Sequence, residues 1–183
     1  MNTFTRVKSQ GKRIELLRHG WASPATRMKR KRDRRNFQLG IARLERWINE
    51  KGFELRFCKN IISYVSFNDM EVVINKCYAP GSQLAQLAHE CGHILIDLQG
   101  KIEERFRRGY PLQYDKKFQN NLTHKTSIVE EEIEAWKRGE KLLGTLNIPY
   151  NKDTFAECKS RSLKSYFRWV VRKPKKFSSG LTT

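Results

Sequence analysis

The chain is short of cysteine and shows no pairing pattern for the little it has. Cys58, Cys77, Cys91 and Cys158 are scattered without a Cys-x-x-Cys pair, which signals neither a zinc ribbon nor a disulfide-built scaffold. Long apolar runs are missing too. The N-terminal stretch holds Arg6, Lys8, Lys12, Arg13 and Arg18 with no apolar block of signal-peptide length, and nothing later is apolar enough to span a bilayer. A cytoplasmic protein with no membrane partner is therefore expected, and the Asn121-Leu-Thr123 match to a glycosylation acceptor carries no weight.

Acidic residues are scarce, but only at the two ends. The chain has 37 Lys and Arg against 19 Asp and Glu, a formal charge of +18 over 183 residues. Residues 1–35 carry 12 basic side chains against Glu15 and Asp33, and residues 152–183 carry 9 against Asp153 and Glu157. Residues 36–151 are almost balanced, with 16 against 15. This divides the chain into a basic, largely disordered arm (1–35), a near-neutral domain (36–150) and a basic C-terminal helix and tail (151–183). Cationic flanks of this kind are the electrostatic footprint of a protein that touches phosphates, here through residues 1–35 and 152–176. No helix-turn-helix or RNA-recognition pattern accompanies them, so the expected contact is non-specific and salt-dependent.

Within the central domain, Ile41, Leu44, Trp47 and Ile48 recur at helical spacing and Gly52 is placed to end that helix. Phe53, Leu55 and Phe57 alternate with Glu54 and Arg56, the period of a half-buried strand. Ile61–Phe67 and Glu71–Cys77, separated by Asn68-Asp69, predict a hairpin. The expected fold is α+β: a helix, a three-stranded antiparallel or mixed sheet, a motif-bearing helix, and a second helix that completes its chemistry. A final helix is expected over Thr154–Val171, with Phe155, Leu163, Phe167 and Val170 on one side.

The motif is His89-Glu90-Cys-Gly-His93, inside an amphipathic segment Ser82–Gln99 for which Ser82 is the expected cap. Two imidazoles four apart on a helix share a face and can close on one Zn²⁺, while Glu90 can deprotonate water beside it. Leu84, Leu87, Cys91, Ile94, Leu95 and Leu98 form the opposite, core-seeking arc.

A third ligand comes from the helix that the capping-box pattern Ser127–Glu130 should open. Of its crowded acids, only Glu132 falls at the centre of the apolar face made by Val129, Ala135, Trp136, Gly139, Leu142 and Leu143; Glu130, Glu131 and Glu134 point away. An ionised carboxylate there is costly unless paired or bound to metal. Ala135 and Gly139 permit close approach of another helix, and Gly92 offers the matching gap. The expected metal site is thus His89, His93 and Glu132, with Glu90 catalytic. Oxyanion help could come from Tyr110, Tyr114 or His124 in or near the long polar connection, which the sequence does not rank.

His89-Glu90-Cys-Gly-His93, followed by Glu132-x-x-Ala135 and then Gly139, Leu142 and Leu143, resembles the ImmA/IrrE-type zinc metallopeptidases of the gluzincin group, and especially the small HECGH proteins of tailed phages. The likeness spans roughly residues 37–146. It implies zinc-dependent hydrolysis of a protein or peptide, in some members a transcriptional repressor, and the host cytoplasm as the place of action if the chain is phage-encoded. Two positions depart from the family pattern: Trp136 stands where Asn or Asp is usual, and Arg138-Gly139 where Phe-Ala is usual. Both bear more on catalysis than on metal binding. The alternative is a catalytically silent zinc fold in a nucleic-acid-binding or regulatory protein.

Overall fold

The computed structural model describes residues 23–98 and 121–172. Tyr110 and Tyr114 fall outside the described residues, as do most of the N-terminal arm and the C-terminal tail. The chain divides into two units, Met1–Asn36 and Phe37–Thr183. In order, the elements are α1 (Pro24–Glu50), β1 (Glu54–Cys58), β2 (Tyr64–Ser66), β3 (Glu71–Asn75), α2 (Pro80–Leu98), α3 (Leu122–Thr145) and α4 (Lys152–Val171). The fold is α+β with one mixed sheet.

Helix α1 begins earlier than its apolar spacing indicates. Ser23 Oγ accepts from the Thr26 amide at 3.2 Å and Pro24 occupies the first helical position, where its missing N–H costs nothing. Residues 24–35, expected within a disordered arm, are therefore helical. Once the later turns are held by Leu44 and Ile48, both fully buried, adding turns at the front needs no new nucleus. The helix ends as its sequence indicates: Gly52 takes φ +85° and Phe53 N–H returns to the Ile48 carbonyl at 3.1 Å.

Strand β3 lies in the middle of the sheet, parallel to β1 with Leu55 opposite Val72, and antiparallel to β2 with Val65 opposite Val72. The predicted hairpin is thus β2–β3, and β1 joins its far side. A strand buried on both faces reads as a continuous apolar run, and Val72, Val73 and Ile74 are all buried. Helix α2 packs on this sheet through Leu84, Leu87, Cys91 and Ile94.

Three helix boundaries differ from expectation. Pro80, not a residue after Ser82, opens α2, which places Ser82 inside its first turn. Asn121 caps α3 by accepting from the Thr123 amide at 2.9 Å, so the helix starts before the Ser127 box. Ser127 and Thr126 instead donate back to the carbonyls of Thr123 and Leu122, at 3.0 and 2.8 Å, the usual outlet for a hydroxyl inside a helix. Asn151 caps α4 through the Thr154 amide at 2.8 Å. Helix α4 buries Phe155 and Cys158, with Leu163 against the core, but Phe167 is 51% exposed. It packs on both α2 and α3, as part of the unit that carries them. Among the described residues no helix is long and apolar enough to cross a membrane.

Candidate metal centre

The site is made where α2 and α3 cross, and the crossing depends on missing side chains. A Cβ on Gly92 would collide with the Ala135 carbonyl, and one on Gly139 with the Ala88 carbonyl. Backbone therefore meets backbone at two reciprocal points, which brings the ligand face of α2 onto the apolar face of α3 where Glu132 sits. Arg138 adds a tie: Nη1 donates to the Leu95 carbonyl of α2 at 2.9 Å, and Nε donates to Glu134 at 2.9 Å.

His89, His93 and Glu132 converge, with one ligand atom from each lying within 4.8 Å of the others. His89 is 5% and Glu132 8% exposed. His89 Nε2 lies 3.2 Å from Glu132 Oε2, and His93 Nε2 lies 3.5 Å from Glu132 Oε1. Ligands about 2.0–2.1 Å from a tetrahedral zinc stand roughly 3.4 Å from one another, so these separations fit one ion between them. The contacts are not all hydrogen bonds: Glu132 Oε2 is buried with no acceptably aligned donor despite its nearness to His89. This buried His-His-Glu group can hold a metal ion.

The electrostatics agree. Burial alone would raise the Glu132 carboxyl, but the imidazoles of His89 and His93 pull it well below the usual carboxylate range. Burial would lower His93, but Glu131, Glu132 and Glu90 outweigh it and hold the ring's pKa up at about 10. A proton on His93 therefore competes with a metal for Nε2. Glu90 is 4% exposed; desolvation raises its pKa, partly offset by the two histidines.

Three residues that sequence reasoning passed over or read differently complete the centre. Glu131 Oε1 accepts from His93 Nδ1 at 3.1 Å, so that in the neutral ring Nε2 is the nitrogen left for a metal. Its phase does point away from the apolar face, but toward the edge of the His93 ring. Trp136 stacks on His89, with ring centroids 4.3 Å apart and planes 17° apart, and makes a T-shaped contact with Phe155 at 5.2 Å. His89 Nδ1 has no hydrogen-bond partner, so a stacked indole orients this ring where a polar partner would be usual. Tyr166 reaches in from α4: it is half-buried near Glu132, and burial followed by the charges of Glu132, Glu90 and Glu131 raises its pKa. The sequence signal was the i, i+4 run Ser162, Tyr166, Val170 beside Phe155 and Cys158, masked by the basic residues between them.

His124 is buried, in a T-shaped contact with Trp169 at 6.4 Å. Lys125 joins it, with Nζ 5.3 Å from the Trp169 ring and 3.5 Å from the Val170 carbonyl. With Trp136 against Phe155 at the other end, these contacts align α4 along α3 and bring Tyr166 between them. No protein-family model, curated protein or solved structure matches the chain, so this centre is understood from its own residues.

Proposed function

We propose that the protein is a zinc-dependent metallopeptidase, of the kind its motifs resemble, that hydrolyses peptide bonds in a protein substrate. The observation that carries this is the convergence of His89, His93 and Glu132 with a buried Glu90 beside them on the same helix. Three protein ligands leave a fourth position open, as catalytic zinc sites do and structural ones do not. When bound, zinc supplies Lewis acidity, which makes water more acidic and a peptide carbonyl more electrophilic.

The protein's own part is proton transfer and positioning. Glu90 takes the proton of the attacking water on a carboxylate oxygen and returns it to the departing amine nitrogen. The raised pKa of its buried carboxyl suits both steps better than an ordinary glutamate would. Glu131 holds His93, Trp136 holds His89, and the Tyr166 hydroxyl offers a donor beside Glu132. The cationic flanks favour a substrate associated with nucleic acid, such as a repressor.

The unusual Trp136 favours a second reading, in which the centre holds metal but does not turn over and the fold serves a regulatory or nucleic-acid-binding role. The experiment separates the two. Purified protein should hold a single zinc, lost in His89→Ala and Glu132→Ala, while Glu90→Gln keeps zinc and loses cleavage of casein or a candidate repressor. Full zinc in Glu132→Ala overturns the ligand set. A biological effect that persists in Glu90→Gln favours the silent scaffold.

A further inference from the structure

The first half of α1 is a helix with cations on every side and nothing to bury. Residues 27–35 hold seven Lys and Arg against Asp33, they are helical, and the side chains described there are exposed. Their one apolar residue, Met28, is 73% exposed. A helix without an apolar stripe has nothing to insert into a lipid surface and no core to offer a protein groove.

Direction matters as much as charge. Arg27, Lys31 and Arg34 fall on one side of the helix and Lys29 and Arg32 on the other, with Arg35 flanking both. Like charges three and four apart repel, so the isolated helix is destabilised by its own side chains. A flat anionic surface would relieve only the side it touches. Relief on both sides needs anions on two walls, with a space one helix wide between them. The major groove of B-form DNA is about 12 Å across, admits an α-helix and is flanked by phosphates on both edges. The A-form groove of duplex RNA is deep and narrow and does not fit.

We propose that residues 27–35 of α1 bind duplex DNA by lying in the major groove, with the two cationic sides of the helix on the phosphates of opposite strands. Binding is sequence-indifferent, because the contacts are to phosphate. It is independent of the metal centre and of any peptidase activity.

The test uses the full chain and a roughly 20-base-pair labelled DNA duplex, with affinity measured by fluorescence anisotropy between about 50 and 200 mM salt. Two triple variants are compared with the parent: R27Q/K31Q/R34Q and K29Q/R32Q/R35Q. Each should weaken binding about tenfold or more and lower the slope of log affinity against log salt by about 2 to 3, since each phosphate contact contributes about 0.9. The charge-preserving R32K/R35K variant should keep the parent slope, which separates charge from folding. Loss in only one triple would mean a one-sided surface and overturn the proposal. So would equal affinity for an RNA duplex of the same sequence, or triples that bind like the parent.

Discussion

His89 and His93 stand one helical turn apart on α2 and face the same carboxylate, yet each is held by a different kind of force. His93 Nδ1 donates a hydrogen bond to Glu131 at 3.1 Å, whereas His89 lies flat against Trp136 at 4.3 Å with its Nδ1 unbonded. A hydrogen bond fixes both the direction of a ring and which nitrogen carries the proton. A stacked indole fixes the plane of the ring alone. The centre therefore has one ring held by a polar partner and one held by packing.

The largest effect should come from the stacked side. Trp136 is fully buried, and Trp136→Ala should cost about 3–5 kcal/mol of unfolding free energy, read by chemical denaturation, with loss of zinc as His89 loses its support. Trp136→Phe, which keeps a flat ring, should retain most of both; if it is as damaging as alanine, volume rather than stacking holds His89. On the polar side, Glu131→Ala should leave the fold intact and weaken zinc about 10–100-fold, measured by competition with a chelating dye. Equal loss in a His93-independent control such as Glu134→Ala would remove the distinction between the sides.

The smallest effect is one of pH. In metal-stripped protein His93 has a folded-state pKa of about 10 against the ordinary 6.5. Its stabilising contribution is complete below about pH 6.5 and is lost as pH rises through about 10. The thermal midpoint should fall across that window, and the fall should flatten in His93→Ala. A midpoint that climbs with pH there would contradict the charge arrangement around the ring.

What the sequence made legible follows from periodicity. Glu132 stood out because it is the single acid in phase with Val129, Ala135, Trp136 and Leu143, and Gly92 and Gly139 stood out as paired gaps at a helix crossing. Glu131 did not, since one residue's rotation takes it off the apolar face and only the position of a ring on another helix gives it a partner. Tyr166 was hidden for a different reason. Net charge describes a segment as a whole, and α4 is cationic outside while its Phe155, Cys158 and Tyr166 side faces the centre. The early start of α1 was legible in Ser23-Pro24 but outweighed by the charge that follows.

The glycine-to-carbonyl contacts at the crossing have a further result. Where two helices touch through side chains, a change of rotamer can spread or narrow them; here the spacers are peptide units, which have no rotamers to change. The separation of the two helix axes at the centre is accordingly ruled by main chain, and the ligand side chains work within a gap that they do not set. Substitutions elsewhere in the protein can reorient the ligand side chains, but changing that separation would require rebuilding both helices together.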